Sequence, residues 1–236
     1  MNNAAMCAKD QSRRAALEAA EARGDAMFDA IERAGLIAPG KTEAALDAEI
    51  YRLAEREFGV RIHWHKRVVR AGPNTLCIFS DTPPDRTIGP EDTVYLDLGP
   101  VFEVLGAQWE ADLGRSYTLG QDADKHRLVA DLPRLFALVK AHYERDPAIT
   151  GAELYAFAQD AAKNAGWEFG GTIAGHIVGE FPHAQRIPGR EQHRIAPGNT
   201  TPMRAPADNG DVRHWILEIH LVDRAREFGG FYERLL

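Results

Sequence analysis

Apolar positions recur at helical spacing from Gln11 to Ala34, with Leu17, Ala20, Met27 and Ile31 on one side, and Gly35 and Pro39 close the run. Thr42 stands where an N-cap belongs, ahead of a second predicted helix through Phe58 with Ala45, Ile50, Leu53 and Ala54 on one face and Gly59 as its stop. The pattern then changes period. Val60–Val69 is rich in β-branched and aromatic residues, Thr75–Phe79 is a short apolar run after Gly72-Pro73-Asn74, and Asp92–Gly99 and Glu110–Leu119 complete a strand-rich block. A second helical block follows over His126–Tyr143 and from Thr150 to Ala165, where Thr150 and Glu153 have capping-box spacing. Strand-like sequence returns at Gly170–Phe181, Trp215–Val222 and Gly229–Leu236, interrupted by a polar, Pro-rich loop over Gln185–Asp211. The order is helix pair, strands, helix pair, strands, the same architecture twice. The amphipathic helices are expected to cover one side of a curved sheet, leaving the other side for chemistry.

Composition narrows the class. The 236 residues are 44% hydrophobic and 27% charged, enough apolar side chain for a substantial core and too much for wholesale disorder. No run approaches the roughly 18 apolar residues of a membrane span, and the charged, Ala-rich start does not read as a secretory signal. Two cysteines, Cys7 and Cys77, cannot build a disulfide framework or a thiolate metal site, which fits a reducing cytoplasm. A net charge of -7 argues against nucleic acid as a partner. A soluble cytoplasmic protein handling a small ligand is the expectation.

Acids in apolar strands supply the candidate chemistry. Asp97 lies in Tyr95-Leu-Asp-Leu-Gly99, Asp112 in Glu110-Ala-Asp-Leu-Gly114, Glu218 in Trp215-Ile-Leu-Glu-Ile219 and Glu233 in Phe231-Tyr-Glu-Arg234. An unpaired carboxylate there costs several kcal/mol to bury, so each needs N–H donors, a cation or a metal. One such acid can be a strand-end Asp bonded to turn amides; several on separate strands, with His176 in Gly175-His-Ile-Val-Gly179, make a divalent cation the economical answer. Oxygen donors plus one imidazole suit Mn, Fe, Co or Zn, and four acids exceed the needs of one catalytic ion. They match two ions bridged by carboxylates about 3.5–4 Å apart.

The segments LDLGPVF, ADLGRSYTLG, GHIVGEFPH, LEIHL and the terminal FYE together resemble the pita-bread metallopeptidases, the group of methionine aminopeptidase, aminopeptidase P, prolidase and creatinase. Arg115-Ser-Tyr-Thr-Leu-Gly120 is most similar to the proline-specific branch. The resemblance covers most of the chain. It implies an α+β pita-bread fold, a duplicated helix pair plus curved antiparallel sheet with pseudo-two-fold symmetry. It also implies metal ligands Asp97, Asp112 (bridging), His176, Glu218 and Glu233 (bridging). Glu218 would help move a proton, and His183, seven positions after His176, would contact substrate and steady a tetrahedral intermediate. Two divalent ions are implied, manganese favoured among Mn, Co, Fe and Zn.

Three departures qualify the resemblance. Asp97 and Asp112 are 15 positions apart, about four more than the family's hairpin; an even insertion, placed at Val104–Gln108, keeps both on one face. The relatives' substrate histidine upstream of the first Asp is missing from Gly72–Ser80, where Phe79 stands near its place, and His63 and His65 lie too far upstream for a simple replacement. His220, two residues after Glu218, is expected on the metal side as a catalytic candidate or as a satisfied core histidine. Finally, a separate N-terminal domain like that of aminopeptidase P is not expected. Residues 1–236 are read as one catalytic domain, with residues 1–60 packed on the same core. Any pocket wall that such a domain supplies would have to come from a homodimer partner or from the Gln185–Asp211 loop, or be missing. Trp109 is expected to overhang the site, Arg115 to pair with an acid near the metals, and the Arg/Pro-rich Arg186–Arg213 stretch to be solvated or to grip a substrate carboxylate.

The expected activity is dinuclear metal-dependent hydrolysis of an amide-like C–N bond, foremost an Xaa-Pro peptide bond. Creatinase-like cleavage of a small non-peptide molecule, or another metal-dependent metabolite reaction, is the alternative; a catalytically silent binding module is the third reading.

Overall fold

The computed structural model describes residues 3–183 and 191–236. The chain opens with helices α1 (Asn3–Arg33) and α2 (Glu43–Phe58), then strands β1 (Val68–Ala71), β2 (Thr93–Leu98), β3 (Val101–Val104), β4 (Ala107–Glu110) and β5 (Leu113–Thr118). Helices α3 (Ala123–Arg145) and α4 (Gly151–Asn164) follow, then β6 (Glu168–Phe169), β7 (Gly175–Val178), β8 (His214–Asp223) and β9 (Phe228–Leu235). Seven strands form one sheet in the order β1-β2-β5-β9-β8-β6, with β7 also paired to β8; every pairing is antiparallel. The duplicated helix-pair-plus-sheet architecture is the α+β pita-bread arrangement.

Local chemistry sets the boundaries. The Thr42 hydroxyl accepts from Ala45 N at 3.1 Å, and Gly59 ends α2 in the left-handed region at φ 68°. Thr150 and Glu153 cap each other's backbone at the start of α4. Asp122 caps α3, so that helix begins three residues before the expected His126.

Strand alternation divides the sheet into two faces. Leu96 and Leu98 of β2 and Leu113 of β5 pack with Leu17, Phe28, Leu46 and Ile50 of α1 and α2. Leu217, Ile219 and Leu221 of β8 pack with Leu128, Leu132, Leu154 and Ala158 of α3 and α4. The intervening residues, Asp97, Asp112, Glu218 and Glu233, face a cavity on the opposite side.

Two expected strands are corrected. Of Val60–Val69 only the end joins β1. Thr75–Phe79 is no strand: Gly72–Leu76 is a 3-10 turn, because Gly72 has φ 50°, Pro73 lacks an N–H, and the Thr75 hydroxyl bonds back to Gly72 O. Between Asp97 and Asp112 the chain forms the separate β3–β4 hairpin, whose two-residue turn falls within the expected Val104–Gln108 insertion and has positive φ at both Leu105 (54°) and Gly106 (80°). Residues 185–190 of the expected Gln185–Asp211 loop lie outside the described residues. Among the described residues, no helix is long and apolar enough to cross a membrane.

Candidate metal centre

Five residues singled out in the sequence meet in one cavity of about 610 Å³: Asp97, Asp112, His176, Glu218 and Glu233 all line it. Backbone register explains the convergence. Asp97 of β2 pairs with Gly114 of β5, which in turn pairs with Glu233 of β9, and Glu233 pairs with Glu218 of β8. Gly114 is needed there, since a Cβ would stand 2.5 Å from the Phe231 ring and 3.0 Å from Glu233 Cβ. His176 enters from β7, with its Nε2 3.3 Å from Asp112 Oδ2, 3.6 Å from Glu218 Oε1 and 3.8 Å from Glu233 Oε1.

His65, expected to lie too far upstream for a simple replacement of the substrate histidine, also reaches this cluster. Its Nε2 is 3.0 Å from Asp112 Oδ1 and 3.6 Å from Asp97 Oδ1. An irregular segment carries it: Trp64 N donates to Gly99 O at 2.9 Å and Val101 N to Ile62 O at 3.0 Å, lacing 62–64 onto the end of β2. Its neighbour His63 does not line the cavity and is held neutral, its pKa lowered to about 4 by burial and by Arg67.

The electrostatics are those of crowded acids. Burial raises Asp97 to about 7, His65 offsetting part of the rise, and burial raises Glu218 to about 7 against the pull of His176. Glu233 is pushed well above the usual carboxylate range by burial and then by Asp112, Asp97 and Glu218. Burial would raise Asp112 too, but His65 and His176 outweigh it and hold Asp112 well below its ordinary value. Against their own burial, the carboxylates raise His65 to about 10 and His176 to about 9.

These residues fit a bound cation. Glu233 Oε2 is buried with no hydrogen-bond partner in the structure. Two overlapping triads, His65–Asp97–Asp112 and Asp112–His176–Glu233, each bring three donor atoms within 4.8 Å of one another. Oxygen and imidazole donors in this number suit a divalent transition metal.

The outer ring holds further residues. His183 lines the cavity, and its Nδ1 and backbone N both bond to the carboxylate of Glu110, the latter at 3.0 Å. Glu110 is 2% exposed and was not anticipated, although it stands two residues before Asp112, where alternation keeps both on one side. His220 lines the same cavity, but its Nε2 donates to Thr75 O at 2.8 Å and burial lowers its pKa to about 4. Phe79, 49% exposed, forms part of the rim, its ring centroid 5.6 Å from that of His65. His193 and Arg194 close another side.

Two further expectations are corrected. Arg115 points away from the cluster, toward α1, where it pairs with Asp25, Asp29 and Glu32, because it alternates with the cavity-side Asp112 and Gly114. Trp109 does not overhang the site. It sits opposite Phe102 in the hairpin and packs into the α1–α2 core, and the tryptophan at the cavity is Trp64.

Comparison with known proteins bears on the fold and the family. A comparison with curated proteins gave no match. Among solved structures, the fold is similar to a prolidase from Thermococcus sibiricus (TM-score 0.68, 22% identity, 95% of this chain and 55% of that one). It is similar to an X-Pro aminopeptidase from Thermotoga maritima (TM-score 0.68, 18% identity, 95% and 57%). A methionine aminopeptidase from Thermotoga maritima also matches (TM-score 0.63, 16% identity, 95% and 92%). The chain thus spans little more than half the length of the first two and nearly the whole of the third. The family model described as Metallopeptidase family M24 matches residues 15–205. The chain belongs to metallopeptidase family M24.

Proposed function

We propose that this chain is a hydrolase that uses two divalent cations to cleave an amide-like C–N bond, foremost the peptide bond of an Xaa-Pro substrate. The supporting observation is that four acids and a histidine from five segments, chosen from the sequence, line one cavity with the sheet's other face packed on helices. Residues 1–236 are read as one catalytic unit in this proposal.

Asp97, Asp112, His176, Glu218 and Glu233 would hold the cations. Cations bound there supply Lewis acidity toward a carbonyl and toward water. The protein's own groups do the rest. Glu218, among the acids that line the cavity, is assigned to take a proton from attacking water and deliver it to the leaving amine. His183, with Nδ1 bonded to Glu110, keeps Nε2 for the substrate carbonyl, where it favours developing negative charge. His220 is assigned to the cavity wall rather than to proton transfer, since Nε2 is committed to Thr75 O. Mn, Fe, Co and Zn all suit the donor set.

One observation favours the second reading. Phe79 lines the rim, near the place the resemblance gives to the relatives' substrate histidine, so that side of the cavity offers an apolar surface. Cleavage of a small non-peptide N-alkyl substrate, as in creatinase, is the alternative. A panel of metal-loaded assays separates them: Xaa-Pro dipeptides and tripeptides against N-alkyl amino acids and amides. Turnover confined to the second group would overturn the peptidase reading; turnover of neither would overturn hydrolysis of both classes.

A further inference from the structure

His65 and His176 approach the cluster in the same way. Each ring bonds through Nδ1 to the carbonyl of the next residue, His65 to Lys66 O at 2.7 Å and His176 to Ile177 O at 2.9 Å. A carbonyl only accepts, so Nδ1 carries a proton, and Nε2 is the nitrogen turned inward that a cation could claim. Histidines that ligate metals are held in this manner, the second nitrogen donating to a carbonyl or carboxylate. The two Nε2 atoms take opposite oxygens of one carboxylate: His65 faces Asp112 Oδ1 at 3.0 Å and His176 faces Asp112 Oδ2 at 3.3 Å. An acceptor nitrogen against an acceptor oxygen is repulsive unless a proton or a cation stands between them.

The place of His65 is built rather than incidental. Gly99 leaves the room it needs, since a Cβ there would stand 2.2 Å from His65 Cδ2 and 2.7 Å from Trp64 Nε1. Trp64 donates its indole N–H to Ala111 O at 3.0 Å and meets both rings edge-on, with centroids 4.5 Å from His65 and 5.4 Å from His176. The His65 side chain is only 9% exposed.

We propose that His65 is a sixth metal ligand, so that each of the two cations would have one imidazole, His65 beside Asp97 and Asp112 and His176 beside Asp112, Glu218 and Glu233. This rests on the two-cation reading above. A second imidazole moves the donor set away from the all-oxygen preference of manganese and toward iron, cobalt and zinc.

Proton NMR of the cobalt(II)-loaded wild-type protein tests the proposal without relying on turnover. Each cobalt-bound imidazole that keeps its Nδ1–H gives one strongly shifted, solvent-exchangeable resonance. Two are expected; His65→Gln should remove one and His176→Gln the other. In parallel, competition with a chelator should show His65→Gln weakening one of two cobalt sites by about 10–100-fold, the size of effect seen when a metal site loses a supporting group. A single shifted resonance in the wild type that survives in His65→Gln would overturn the proposal and leave the two-cation reading standing, with His65 an imidazolium paired to the acids. Binding of no cobalt at all would overturn both. Should His65→Gln fail to fold, the wild-type count of two or one still decides.

Discussion

The two faces of the sheet are made by the same strands and do opposite work. In β2, Leu96 and Leu98 are fully buried against α1 and α2, while Asp97 between them turns to the cavity. In β8, Leu217 and Ile219 pack on α3 and α4, while Glu218 faces its fellow acids. The helix side contributes stability through apolar burial. The cavity side costs stability, because like charges are gathered in a poorly solvated place. Function is placed where the fold would be more stable without it.

The largest effect expected from separating the faces is on turnover. Glu218→Gln should lower kcat by a factor on the order of 10³, within the usual range for loss of a general acid–base group, with the melting temperature of the metal-free protein held or raised. Undiminished activity in that variant would remove Glu218 from proton transfer.

A matched change on the other face should do the reverse. Leu96→Ala, one residue from Asp97, should cost about 2–5 kcal/mol in denaturant unfolding while metal affinity stays within error. A loss of metal without a loss of stability would contradict the division of labour.

Removing metal should expose the cost of the cavity side, and the effect should depend on pH. Asp97 and Glu218 are raised to about 7, so the protons they hold stabilise the folded state below their ordinary carboxylate values, and that benefit fades as pH rises through 7. His65 and His176, raised to about 10 and about 9, extend the loss into the alkaline range. Chelator-treated protein should therefore melt at a lower temperature at pH 8 than at pH 6, with re-added metal restoring more at pH 8. A metal-free melting temperature that rises over this interval would contradict the charge assignment.

The smallest effect belongs to Arg115→Ala. Its partners Asp25, Asp29 and Glu32 are 41–54% exposed, so solvent screening limits the loss to about 1 kcal/mol or less. Activity should not change, since the guanidinium is on the helix side. A marked fall in kcat would return it to the neighbourhood of the metals.

The cavity acids were legible because each interrupts an apolar strand pattern, where an isolated charge has no cheap explanation. The helices were legible from their period and their Thr42 and Thr150 caps. The same alternation places Arg115, one residue from Gly114, on the helix side with Asp25, Asp29 and Glu32. No such rule places His65. It stands in a segment without period, and its position depends on backbone bonds from Trp64 and Val101 across more than thirty residues of sequence. Glu110 was hidden differently, since its importance lies in a partner, His183, that the sequence places 73 residues away.

The most direct test is the metal content of the purified, reconstituted wild-type protein, measured by mass spectrometry against protein concentration. Two equivalents of a divalent transition metal per chain are expected, both released by chelation. Fewer than one equivalent after reconstitution would contradict the central claim that this cavity exists to hold a pair of cations.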